Sequence, residues 1–267
     1  MNPLRICYGD LAKLQTLTDS GEASGYPGTN AVDIRLSRYW RTTAAATQWI
    51  KFDAGVGKTI VFDSALILGH NLTSAAVVKI QTDDTDTWAP PGGIEKAGDP
   101  TKAIIFMDNA GLPTARRYAR FYIDDPTNPA GYVQIGRVFL CVRYEGLEQI
   151  AEGFAHGLDD TTVASRSMTG QVYADLGVIS RVYDLSMGHM GDVTKQSLLA
   201  ICQAVGQWDP VIVFPAESAT MATSTTAGGS TVGGIDPIYA TMKKATRFTN
   251  AGGWVWQDDG FQFIEAH

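Results

Sequence analysis

Short apolar runs rich in β-branched residues recur along this chain at spacings of roughly 8 to 15 residues, each fenced by Gly, Pro, Asn or Asp. That rhythm restricts the fold to stacked antiparallel sheets, a β-sandwich or jelly roll, and argues against a wound α/β sheet. The runs are Trp49–Asp53, Ile60–Phe62, Ala65–Leu68, Ala75–Gln81, Ala103–Met107, Ala119–Ile123 and Tyr132–Tyr144. No long amphipathic pattern separates them. Leu11–Thr18 reads equally as a strand or a helical turn.

At 267 residues the chain exceeds one domain of ordinary size. The β pattern weakens around Glu145–Leu158, which divides it into residues 1–150 and 151–267. The first part holds 15 basic and 16 acidic residues and the second 6 and 12, so a net charge of −7 comes as −1 and −6. That acidity argues against a protein that neutralises nucleic-acid phosphates. With 45% apolar residues and 10% aromatics the composition is not that of a disordered chain. Cys7, Cys141 and Cys202 show no CxxC spacing and suit a reducing compartment. No apolar stretch reaches membrane-spanning length, and Met1-Asn2-Pro3-Leu4-Arg5 lacks the apolar core of a signal peptide. A soluble chain is expected.

The second half reads strand, strand, helix, strand, loop, strand, strand. Val163–Tyr173 and Gly177–Met187 are expected to pair as a hairpin. Asp192 or Thr194 caps a helix near 193–205 whose Leu198, Ile201, Cys202 and Val205 share one face, with Gly206 in the left-handed position at its end. Pro210–Pro215 is a short buried strand fenced by prolines. Glu217–Gly234 is a Ser/Thr/Gly-rich excursion expected to be mobile. Pro237–Asn250 and Gly253–Ala266 close the chain, with a tight hairpin at Asp259-Gly260 as the alternative ending.

Several motifs invite a chemical reading and lose it. Gly55-Val56-Gly57-Lys58-Thr59 resembles the end of a phosphate loop, but Phe52 stands where its first glycine is needed, so a hairpin turn is expected. Asp84, Asp86 and Glu95 occupy calcium-loop positions 1, 3 and 12, but Trp88 and Ala89 replace an oxygen ligand and the turn glycine. His70, His156, His189 and His267 have no metal-site spacing, and no GxSxG elbow occurs. No catalytic residue, cofactor or metal ligand is assigned, and an enzyme is not expected. Asn71-Leu72-Thr73 has the form of a glycosylation acceptor without a secretory context. Arg116 and Arg117, with Arg120, form the densest basic cluster, and Trp88 sits in a Pro/Gly-bordered loop where an exposed indole suits a sugar or a protein partner.

Ala31-Val32-Asp33, Tyr39-Trp40-Arg41, Gln48–Gly55, Leu66–Leu72, Ala119–Pro126 and Gly131–Leu140 together resemble the discoidin-like (galactose-binding-like) β-sandwich over about residues 20–144. Their flavour is similar to that of sandwich domains in virion proteins of tailed bacteriophages. Gly177–Met187, the helix to Gly206 and Trp208–Pro215 are similar to a segment of distal-tail-like tail-tip and baseplate proteins. The resemblance implies a discoidin-like sandwich followed by a tail-tube-like β domain with one helix. It further implies a structural subunit at the tail end of a virion, assembled in the host cytoplasm. Its partners would be copies of itself in a ring and other phage tail proteins. The alternative is a carbohydrate-binding module for host surface glycans, using Trp40 or Trp88 as stacking rings and Arg41, Arg116 and Arg117 as charged partners.

Overall fold

The computed structural model describes residues 4–88, 93–108, 114–146, 155–186, 188–214, 237–244, 247–252 and 255–266. Among them the chain is mainly β, with one α-helix. The strands in chain order begin β1 (Arg5–Cys7), β2 (Thr16–Asp19), β3 (Trp40–Arg41), β4 (Gln48–Asp53), β5 (Ile60–Phe62), β6 (Ser64–His70), β7 (Val77–Asp83), β8 (Glu95–Gly98), β9 (Ile104–Asp108), β10 (Thr114–Arg116), β11 (Tyr118–Asp124) and β12 (Gln134–Cys141). They continue with β13 (Tyr144–Glu145), β14 (Ala155–Asp160), β15 (Val163–Arg166), β16 (Val172–Asp175), β17 (Ile179–Leu185) and β18 (His189–Met190). After helix α1 (Asp192–Val205) come β19 (Val211–Phe214), β20 (Ile238–Lys244), β21 (Phe248–Gly252), β22 (Val255–Asp258) and β23 (Phe261–Glu265).

Residues Cys7–Arg143 form a β-sandwich. Its sheets run β2-β4-β11-β7-β8 and β3-β12-β6-β9, with β5 and β10 as a separate ribbon. The five-stranded sheet follows from strict alternation. Ile50 and Phe52 of β4 and Ala119, Phe121 and Ile123 of β11 point inward and are fully buried, and every second residue faces solvent. Phe52 and Phe121 meet edge to face at 6.3 Å. β6 and β12 read instead as nearly continuous apolar runs, because both of their faces are covered. The 3₁₀ turn Leu11–Leu14 lies on β12, and Asp10 at its start reaches Arg137 on that strand. The ambiguity of residues 11–18 thus resolves into both structures in succession, a turn and then β2.

The second unit is built on a seven-stranded sheet, β13-β1-β19-β20-β23-β17-β14, with a three-stranded sheet β18-β22-β21 and a two-stranded ribbon β15-β16. Most of β1 joins this unit, because Arg5 and Ile6 pair with Glu145 and Tyr144. Helix α1 buries Leu198, Ile201 and Val205, and its N-cap is Gly191 rather than Asp192 or Thr194. Gly206 closes it at φ 55°, donating to the Cys202 carbonyl.

Three expected pairings change. β17 pairs with β14, and β15 pairs with β16, so Val163–Tyr173 and Gly177–Met187 are not partners. Gly55–Thr59 links β4 and β5, which belong to different sheets, so it is a crossover and not a hairpin turn. Asp259-Gly260 likewise joins β22 to β23 across two sheets. Periodicity identifies a strand but carries no information about its neighbour, which explains all three. The Glu217–Gly234 excursion and Trp254 lie outside the described residues.

Candidate functional site

At the Asp124 end of β11 the loops of the sandwich are tied to one buried carboxylate. Asp125 accepts from the Thr73 amide at 2.9 Å, the Thr73 hydroxyl at 2.6 Å and the Asn128 side-chain amide at 3.0 Å. Its own N–H donates to the Ala45 carbonyl at 3.2 Å. Asn71 continues the network, accepting from the Gln134 amide at 2.8 Å and donating to the Tyr132 carbonyl at 3.0 Å. These bonds hold three sequence-distant loops in one frame.

Two tyrosines flank Arg41, Tyr132 from that frame and Tyr26 from a separate loop, each preceded by a glycine in the left-handed region, Gly25 at φ 84° and Gly131 at φ 75°. The Tyr26 loop is fastened to β3 by reciprocal backbone bonds, Ala23 N–H to the Arg41 carbonyl at 2.7 Å and Arg41 N–H to the Tyr26 carbonyl at 3.3 Å. Arg41 and Gln134 are directly opposed on β3 and β12. The Arg41 Nε and Nη2 both donate to Gln134 Oε1, at 3.1 and 2.6 Å. Its guanidinium carbon lies 4.1 Å from the Tyr26 ring centre and 4.5 Å from that of Tyr132. A cation so placed is held by about 0.5–1 kcal/mol per ring, more where it is desolvated. These partners are uncharged side chains, and the two phenols are half-buried.

His70, at the end of β6, borders the same frame. Its Nδ1 accepts from the Leu72 amide at 3.3 Å and its Nε2 donates to the Lys102 carbonyl at 2.7 Å, which fixes the neutral tautomer. Burial holds its pKa below the ordinary histidine value.

The residues singled out from the sequence are divided by the fold. Arg41 lies at this corner. Trp40, its neighbour on β3, does not: it is 0% exposed, part of the sandwich core, and cannot stack on a ligand. Adjacent strand residues face opposite ways, and a two-residue strand shows no alternation from which to tell which is inside.

Arg116 and Arg117 lie at the other end of β11, about 20 Å away for a strand of seven residues, and Trp88 lies against Arg120 within the strand. Arg116 pairs with Asp84, and Arg117 grips Asp53 through Nε at 2.8 Å and Nη2 at 2.9 Å. These bonds hold the Asp53 and Asp84 carboxyls below their ordinary pKa. The Trp88 indole donates to Asp86 at 2.7 Å, and Lys51 pairs with the same carboxylate at 2.6 Å. Glu95 is held by Lys79 and Gln81. Asp84, Asp86 and Glu95 are therefore spent on separate cations and donors. Asn71 has both side-chain polar atoms engaged, so a glycan on it would break the loop frame.

Tyr26, Tyr132 and Gln134 escape the sequence reading. Their only signal is an aromatic beside glycine in Gly25-Tyr26-Pro27-Gly28 and Gly131-Tyr132.

No family model and no curated protein matches the chain. Solved structures similar to it include a Ruminococcus gnavus GH29 fucosidase in complex with fucose, at 18% identity and a TM-score of 0.41, covering 51% of this chain and 27% of that one. The chain thus matches about a quarter of the fucosidase. A lectin binding domain of lectinolysin complexed with Lewis b matches at 15% identity and TM-score 0.40, over 51% of this chain and 96% of that one. CpGH89CBM32-6 produced by Clostridium perfringens matches at 16% identity and TM-score 0.38, over 52% and 100%.

Proposed function

We propose that the sandwich is a carbohydrate-binding module whose ligand end is the Tyr26–Arg41–Tyr132–Gln134 corner. One observation carries the reading: an arginine with no carboxylate partner among the described residues is clamped between two phenol rings, the Tyr26 loop tied to β3 by backbone bonds and Tyr132 tied to Asn71. A sugar offers C–H faces to aromatic rings and hydroxyls to fixed donors, and a pre-organised corner loses little entropy on binding it. A glycan array followed by calorimetry tests the proposal with Arg41→Ala and Tyr132→Ala. Loss of about tenfold or more in affinity is expected for each. Binding by Arg41→Ala equal to wild type would remove the corner from the reading.

A second reading, compatible with the first, concerns the other unit. Of the 18 large apolar residues exposed among the described residues, eight lie between Leu158 and Ile179, on edge strand β14, ribbon β15-β16 and the start of β17. Leu158 is 72% exposed and Leu176 89%. An open edge strand beside such a surface favours association with neighbouring chains. In this reading the chain is a structural subunit at the tail end of a bacteriophage, ringed by copies of itself, and the sandwich is the glycan-facing part. Light scattering after size exclusion tests it. A strict monomer at high concentration, unchanged by Val172→Lys, counts against assembly through this surface.

A further inference from the structure

The outward face of the five-stranded sheet is more aromatic than a solvated face requires. The core is complete without it, since Ile50, Phe52, Phe121 and Ile123 fill the inside. Yet Trp49, Tyr118 and Tyr122 stand on the outside, and Trp88, from the loop after β7, lies against Arg120 between them on β11. The register sets Trp49 opposite Tyr122, Lys51 opposite Arg120 and Asp53 opposite Tyr118. Rings and cations therefore interleave. Lys51 Nζ lies 5.7 Å from the Trp49 ring and 5.6 Å from Tyr118, and the Arg120 guanidinium lies 4.2 Å from Trp88 and 5.6 Å from Tyr122.

These contacts fix the rings. Gln81 Oε1 accepts from Arg120 Nε at 2.9 Å and Nη2 at 2.5 Å, so the guanidinium has a set orientation under the indole. Asp86, at φ 60°, receives both the Trp88 N–H and Lys51, which pins the loop to the sheet. Four of the five cations around these rings have a carboxylate partner, Lys51 with Asp86, Lys79 with Glu95, Arg116 with Asp84 and Arg117 with Asp53, and the fifth, Arg120, is held by Gln81 and covered by the indole.

We propose that Trp88, Trp49 and Tyr122 form a second binding site, distinct from the Arg41 corner, for an uncharged polysaccharide lying across the sheet. With four of the five cations already paired and Arg120 covered by the indole, a charged polymer finds little to pair with, whereas rings edged by carboxylate acceptors match pyranose C–H faces and hydroxyls. A protein partner is the poorer fit, because the centre of a protein interface is depleted of charge and here Lys51 and Arg120 lie among the rings.

Affinity electrophoresis of the whole chain in gels cast with galactomannan, arabinoxylan, mixed-linkage β-glucan or amylose tests the site, with polygalacturonate as the acidic control. Arg41→Ala should still be retarded by at least one neutral polymer. Trp88→Ala and Trp49→Ala should weaken that retardation about tenfold, Trp88→Phe should restore part of it, and near-ultraviolet circular dichroism should confirm folding. Arg41→Ala migrating freely in every neutral gel overturns the site, as does Trp88→Ala retained like wild type. Retardation lost only with Arg41→Ala leaves the corner standing and removes this face. Loss only with the tryptophan variants does the reverse.

Discussion

Removing the carboxylate of Asp10 should strongly destabilise the sandwich. Asp10 and Arg137 are both 0% exposed, with Arg137 Nη2 at 2.9 Å from Asp10 Oδ2. The same carboxylate accepts from the Ala12 amide at 3.1 Å, capping the 3₁₀ turn, and from the Leu140 amide at 3.3 Å. Burial raises the Asp10 pKa above the ordinary value despite Arg137 beside it, so desolvation outweighs the attraction between them. Asp10→Ala leaves a guanidinium buried without its carboxylate, at a cost of about 3–5 kcal/mol. Losing the cap adds about 1 kcal/mol. At roughly 4 °C per kcal/mol for a unit of this size, the melting midpoint should fall by about 16–24 °C in calorimetry. The double variant Asp10→Asn/Arg137→Met removes both charges while keeping an acceptor for the two amides, and should melt close to wild type. A drop under about 3 °C for Asp10→Ala, or a double variant as unstable as Asp10→Ala, refutes the reasoning.

The fold should lose stability as pH falls below about 6.5, because neutral His70 has a folded pKa lowered by burial and the unfolded chain binds the proton first. Melting at pH 7.5 and 5.5 should show a smaller decline for His70→Gln than for wild type. Gly131→Ala meets no atom within 4 Å but forces a side chain to φ 75°, so urea titration should show a loss of about 1–2 kcal/mol, from backbone strain alone. Gly131→Asn should cost less. Asp125→Ala strands the Thr73 and Asn128 donors in a buried site, and a loss of about 2–4 kcal/mol is expected by denaturant titration, with weaker glycan binding.

The runs Trp49–Asp53 and Ala119–Ile123 marked two strands, and the spacing of Leu198, Ile201 and Val205 marked the helix, because side-chain period is a local property. Local pattern also excluded the phosphate loop, since the missing glycine at Phe52 is a fact of sequence. Strand partners were not legible: Val163–Arg166 looked outward along the chain to Gly177–Met187, and the fold closed it on Val172–Asp175. The candidate site was half legible. Arg41 stood out by its charge beside aromatics, but Trp40 was misread because one step along a short strand turns a surface residue into a core one. Tyr26, Tyr132 and Gln134 became a site only when pairing of β3 with β12 brought together residues 93 positions apart. Those meetings were decided by tertiary structure, because ring stacking and a shared acceptor depend on distances that no spacing along the chain encodes.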